Sequence, residues 1–202
     1  MYDIWEEVIA EELKIRGAMK KDANKAAELI HIAITDIAEQ LTGKTKKENI
    51  RKTLSQLVRE ENNRLSFQNM IVADIFGDIA GIILIYPGED APHLDEPTLK
   101  RLRRKTRNEG MIFDKEANEE DMYVDTICVD DQFRGYGIGT TLLKEAEKIA
   151  KQKGYSRISL NVAQGNPIAK QLYKRMGYIE QKVIQINQHP YEYMVKTLKD
   201  EK

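Results

Sequence analysis

Arg134-Gly135-Tyr136-Gly137-Ile138-Gly139 is the stretch that decides how this chain is read. It follows a strand-like run, Tyr123 to Val129, and opens a helix near Gly137. That helix carries Ile138, Leu142, Leu143, Ala146, Ile149 and Ala150 at helical spacing. Glycines at alternate positions leave backbone N–H groups without side-chain cover. The helix N-terminus behind them adds the positive end of a dipole. Together they form a nest for an anion, a phosphate or pyrophosphate. The spacing is not the Gly-x-Gly-x-x-Gly of a dinucleotide fold, and no acidic residue closes the next strand. A P-loop is excluded because Gly-Lys-Ser/Thr is missing.

Outward from the loop, Gly154 ends the helix of 137–153, Arg157–Val162 reads as a strand, and Pro167 opens a helix reaching Gly177. Tyr178–Ile186 and Tyr191–Leu198 form a hairpin through Asn187-Gln188-His189-Pro190. Upstream, Ile4, Trp5, Val8 and Ile9 suggest a short helix over 2–13, and Ile15–Met19 a brief strand. Helices are expected over 22–41 and 45–60, with Gly43 between them. Ser66–Ile75 and Ile79–Tyr86 read as a hairpin, ended by Pro87-Gly88. Residues 88–121 form an irregular insertion. Ala91-Pro92-His93 reads as a turn, Pro97–Arg107 as a basic helix with Leu99 and Leu102 as its thin apolar stripe, and the rest as acidic. The order predicts one α/β domain over 1–202. Its mixed, mostly antiparallel sheet of about seven strands is parallel only at the central crossover.

Composition narrows the function. The chain has 202 residues, 41% hydrophobic and 32% charged, with a net charge of −1. That is a globular composition with no bias toward nucleic acid or anionic membranes. No apolar run approaches the roughly 18 residues of a membrane span. The N-terminus is acidic, unlike a signal peptide. Cys128 is the one cysteine, so neither an internal disulfide nor a cysteine metal cluster can form, and a reducing cytoplasm fits. His31, His93 and His189 show no metal spacing, so no metal is expected.

Residues 122–178 resemble the acyl-CoA-binding core of the GNAT family of N-acetyltransferases. The matching pieces are Val129-Asp130-Asp131-Gln132-Phe133-Arg134-Gly135-Tyr136-Gly137-Ile138-Gly139, Asn161, Asn166-Pro167 with Ala169, and Tyr173 followed by Gly177-Tyr178. Lys14-Ile15-Arg16-Gly17-Ala18 and Asp22 are similar to the family's first strand and helix cap. Residues 1–13 and 88–121 fall outside the common pattern. The resemblance implies acetyl-CoA as donor and splayed central parallel strands that admit its thioester. It assigns donor binding to Ile127, Cys128, Val129, Arg134, Gly135, Tyr136, Gly137, Ile138, Gly139, Thr140, Asn161, Asn166, Ala169 and Tyr173. Backbone groups near Val129 pair with the pantetheine arm as another strand would.

The implied reaction is direct attack of a primary amine on the thioester. The amine arrives as an ammonium and must lose a proton to a base. Asp125 is the candidate, four residues before Val129 and so on the same strand face; the alternative is a carboxylate satisfied by sheet-edge donors. Tyr123 shares that face, and Glu120 and Asp121, just before the strand, are second choices, expected to anchor substrate. Tyr173 sits where the family has a tyrosine general acid, although Ala169, Leu172, Tyr173 and Met176 also make an apolar stripe. Asn161 and Asn166 read as cofactor contacts or as strand-end and cap residues. Cys128 should face away from Asp125 and behave as a small hydrophobe rather than an acyl relay. A small-molecule or peptide amine is the expected partner. A CoA-binding sensor without turnover is the alternative. The basic helix at 100–107 reads as a solvated face more than an RNA surface. Exposed strands near the C-terminus offer edges on which two subunits can pair.

Overall fold

The computed structural model describes residues 7–9 and 11–198. Residues 7–9 and 11–12 are helical; Ile4 and Trp5 of the expected first helix lie outside the described residues. The strands are β1 (Leu13–Gly17), β2 (Met70–Ile75), β3 (Asp78–Pro87), β4 (Met122–Val129), β5 (Arg157–Ala163), β6 (Ile179–Ile186) and β7 (His189–Thr197). The helices are α1 (Ala23–Thr42), α2 (Lys47–Arg59), α3 (Ala91–Thr106), α4 (Ile138–Gln152) and α5 (Pro167–Arg175). The seven strands make one sheet in the order β1-β2-β3-β4-β5-β7-β6. β4 and β5 are parallel; β1–β2, β2–β3, β5–β7 and β6–β7 are antiparallel.

The chain forms two compact units, residues 1–84 with 126–145, and residues 85–125 with 146–202. In the first, α2 buries Ile50, Leu54, Leu57 and Val58. These fall at helical spacing, as the periodicity predicts. Gly43 ends α1 in the left-handed region, its N–H bonded to Glu39 O at 2.7 Å. A kink at Thr35 interrupts α1. The β2–β3 turn uses Phe76 and Gly77, both at positive φ, the pattern of a two-residue hairpin. Residues 67–69 form a 3₁₀ turn rather than the expected strand, because Ser66 Oγ accepts Gln68 N and caps it.

In the second unit the parallel ladder runs from Met122↔Ile158 to Val124↔Leu160, while β5 pairs with β7 as far as Ala163↔Tyr191. α3 begins at Ala91, six residues earlier than Pro97 suggests. Ala91-Pro92-His93 is its first turn, where a proline lacks no needed N–H. Pro97 then sits inside the helix, at a cost of about 3 kcal/mol. Burial of Leu94, Leu99 and Leu102 outweighs it, at about 2 kcal/mol each. The last hairpin is also tighter than expected. Asn187 and Gln188 alone make the turn, both at positive φ, and His189 and Pro190 belong to β7.

Candidate functional site

β4 belongs to the second unit up to Asp125 and to the first from Thr126, where it leads into the glycine loop. Asp125, Ile127 and Val129 are half-buried, and Thr126 and Cys128 between them are buried. Cys128 therefore points away from Asp125. Burial pushes its thiol up to about 11, which removes the thiolate a relay needs. Asp130 N bonds Ala80 O at 2.9 Å, extending β4 by one residue. The Asp130 carboxylate then does two jobs. Oδ1 accepts Gln132 N at 3.0 Å, and Oδ2 meets Lys25 Nζ at 2.6 Å. The Lys25 ammonium and the Gln132 N–H hold this carboxyl below its usual range.

Arg134 folds back on the strand end, Nε to Val129 O at 3.3 Å and Nη2 to Asp131 Oδ1 at 2.7 Å. Gly135 and Gly137 follow with φ of +90° and +75°, and a Cβ on either would meet nothing within 4 Å. Glycine is therefore required here by backbone conformation, not by crowding. The next bond of α4 is Thr141 N to Gly137 O at 3.0 Å. Among the described residues, the N–H groups of Gly135, Tyr136, Gly137, Ile138, Gly139 and Thr140 donate to no protein acceptor. Such a run of bare amides on a helix start is suited to a phosphate or pyrophosphate.

In the second unit, Asp125 is bound by a group that the sequence did not single out. Tyr86, on β3, donates its phenol to Asp125 Oδ2 at 2.5 Å. The Tyr86 ring stands edge-on to Tyr123, centroids 5.7 Å apart. Tyr123 is itself buried, donates to Glu116 Oε2 at 2.9 Å and accepts Asn161 Nδ2 at 2.9 Å. Asn161 Nδ2 also reaches Glu116 O at 2.9 Å. The Tyr123 hydroxyl and the Asn161 amide NH2, expected at the substrate and the donor, are thus engaged with each other and with Glu116, while Asn161 Oδ1 is buried without a hydrogen-bond partner.

Glu120 and Asp121, expected to anchor substrate, both pair with Arg157. Glu120 takes Arg157 Nη1 at 2.6 Å, and Asp121 Oδ1 lies 2.8 Å from Arg157 Nε. Asp121 is fully buried, and its Oδ2 accepts the Tyr193 hydroxyl. A cationic partner lets this carboxylate lie inside; unpaired, it would cost several kcal/mol. The 107–121 segment is tied down elsewhere too. Asn118 N donates to Tyr193 Oη at 3.2 Å, Asp114 Oδ2 accepts Asn187 N at 2.8 Å, and Gly88 N bonds Asp121 O at 2.9 Å.

Asn166 caps α5, its Oδ1 accepting Ala169 N at 3.1 Å, with Pro167 in the first turn. Two turns on, Tyr173 is 7% exposed. Burial alone pushes its phenol up to about 12. No hydrogen bond reaches its hydroxyl among the described residues. The ring lies 6.0 Å from that of Tyr178. Tyr178 Oη is buried beside Glu147 without the geometry of a hydrogen bond, and Glu147 pairs with Lys196 at 2.6 Å. Tyr86 and Glu116 are the residues sequence reading passed over. Tyr86 looks like an ordinary strand end and Glu116 like one of an acidic run, so no local pattern marks either.

Bare amides at a helix start, reached from one of two parallel strands, define a class of proteins suited to gripping a phosphate. The chain belongs to the acetyltransferase (GNAT) family, whose sequence profile matches residues 33–178. A crystal structure described as an acetyltransferase is 31% identical, covering 92% of this chain and 100% of that one, with a TM-score of 0.76. An N-acetyltransferase from Staphylococcus aureus Mu50 is 25% identical, covering 90% and 99%, with a TM-score of 0.77. Among curated proteins, an uncharacterized N-acetyltransferase of Methanocaldococcus jannaschii is 43% identical over 58 residues, 29% of this chain and 26% of that protein. The mouse thialysine N-epsilon-acetyltransferase is 41% identical over 56 residues, 28% of this chain and 33% of that protein. The chain thus matches about a quarter to a third of the length of these curated relatives. Among the described residues, no helix is long and apolar enough to cross a membrane, and no group of His, Cys, Asp and Glu could hold a metal ion.

Proposed function

We propose that this chain is an N-acetyltransferase that moves acetyl from acetyl-CoA to a primary amine of a small molecule or peptide by direct attack. The observation that carries this reading is the run of six undonated N–H groups from Gly135 to Thr140 at the start of α4. These amides hold the donor's pyrophosphate. Asp125 takes a proton from the acceptor ammonium, and the neutral amine attacks the thioester carbon. The new C–N bond forms while a backbone N–H between Ile127 and Val129 stabilises the oxyanion. The C–S bond then breaks as the Tyr173 hydroxyl protonates the departing sulfur, and the phenolate so formed takes the remaining extra proton from the former amine nitrogen, leaving the neutral amide and a restored tyrosine. Burial keeps this phenol protonated at neutral pH. A primary amine is also the group acetylated by the relative named for thialysine N-epsilon acetylation.

The test is calorimetric titration with acetyl-CoA, followed by CoA release across a panel of polyamines, aminoglycosides, amino acids and peptides. The expected result is micromolar donor binding and turnover of at least one amine. Tyr173→Phe should keep donor affinity within about threefold and lose 10²-fold or more in turnover. No heat of binding would remove the proposal. Binding with no turnover of any amine would leave the chain as a CoA-binding module.

A further inference from the structure

The proposed function makes Asp125 the base, and the inference that follows rests on that reading. We infer that Tyr86 is a positioning residue for this reaction, aiming the Asp125 carboxylate at the acceptor amine through its phenol.

Three observations meet here. The Tyr86 Oη to Asp125 Oδ2 distance of 2.5 Å is that of a charge-assisted O–H···O⁻ bond, short and strong. Tyr86 is 2% exposed, in a buried cluster with Leu94, Ala117 and Tyr123 and with Ala91 packed against it. Its donor is thus fixed in space by ring packing. The wall behind it is also fixed, since Tyr123 is held by Glu116 and Asn161, both at 2.9 Å.

An aspartate has two side-chain torsions to restrain, and a base must meet the proton it takes within a narrow range of distance and angle. A rigid phenol on Oδ2 selects one orientation of the carboxylate. The contact joins residues 39 positions apart, on neighbouring strands, so it is built by the fold and not by local sequence. Its effect falls on kcat, because misaiming a base by a fraction of an ångström slows the chemistry without touching the donor's grip.

The experiment is a double-mutant cycle on Tyr86→Phe and Asp125→Asn, assayed with whichever panel amine turns over. Donor affinity by calorimetry and thermal melts accompany each variant. Tyr86→Phe keeps the ring and its packing. We expect its kcat to fall tenfold or more, its KM for acetyl-CoA to stay within twofold, and the double variant to match Asp125→Asn alone. Such non-additivity is the mark of residues acting as one unit. Two outcomes overturn the role of Tyr86 alone: a kcat within twofold of the parent, or losses that multiply with those of Asp125→Asn. If Asp125→Asn itself keeps turnover, the base reading falls, and the inference with it. If Tyr86→Phe lowers the melting temperature and donor affinity along with kcat, the tyrosine is structural and the inference fails. Tyr86→Leu then checks that result, since lost packing would deepen all three defects together.

Discussion

Lys25 on α1 and Asp130 at the end of β4 meet at 2.6 Å, although 105 positions separate them. Asp130 is also where the glycine loop begins, so the ion pair fixes the point from which the loop departs. Lys25→Met should release it. The side chain of Lys25 is 40% exposed, so the loss of global stability should be small, under about 1 kcal/mol. The donor constant should rise roughly three- to tenfold, because the amides of Gly135 to Thr140 lose their fixed start. Calorimetry against acetyl-CoA checks both parts with one melt. The pair also sets an acid limit. The Asp130 carboxyl is held below its usual range, so its stabilisation is present above about pH 4 and disappears as pH falls through the lower folded value.

Gly137→Ala tests the loop itself. The space around Gly137 is open, yet its φ of +75° is unfavourable for any residue with a Cβ. The substitution should cost about 1–2 kcal/mol in the loop conformation. It should therefore weaken donor binding by roughly tenfold or more, with little change in the urea midpoint if the loop relaxes when empty. Equal losses in both would show that the loop conformation is part of the folding unit.

Gly88→Ala acts by crowding instead. A Cβ there would stand 1.9 Å from Asn118 O, a backbone atom that cannot rotate away. The 116–118 segment would have to move, and Glu116 would carry Tyr123 with it. Destabilisation of about 2–3 kcal/mol is expected, read as a lower urea midpoint at unchanged slope. Turnover should fall as well, since the wall behind Tyr86 is disturbed.

Alkaline pH should unfold this protein earlier than its carboxylates alone suggest. Burial pushes Tyr173 up to about 12, and burial with the Asp121 carboxylate does the same to Tyr193. Unfolded tyrosines release their protons near pH 10. Groups raised on folding stabilise below the unfolded value and lose that contribution as pH rises through the folded one. Stability should therefore decline between about pH 10 and 12. Urea melts across that range check the slope, and Tyr193→Phe should flatten it.

Cys128 offers a negative control. Its thiol is pushed up to about 11 and is buried. The folded protein should resist thiol reagents at pH 8, with labelling appearing only in denaturant. Cys128→Ala should retain turnover within about twofold. Loss of all turnover in that variant, with the fold intact, would point to an acyl relay.

The local features were readable from the chain alone, because their causes are local. Apolar, β-branched-rich runs give strands such as β2 and β3, helical spacing gives α2 and α4, and the Gly135–Gly137 pair gives the turn whose amides stay open. Asn166-Pro167 reads as a cap and is one. The start of α3 did not follow from local signals, because Pro97 looks like a helix opening and is tolerated inside one only through the burial of Leu94, Leu99 and Leu102. The polar partners were equally hidden. Glu120 and Asp121 look free to meet a substrate until β5 brings Arg157 beside them. Tyr86 has no mark in sequence at all, and it meets Asp125 because strand order sets β3 beside β4. Local chain geometry is encoded in neighbouring residues. Which carboxylate meets which donor depends on register between strands far apart in the chain, and that exists only once the sheet has formed.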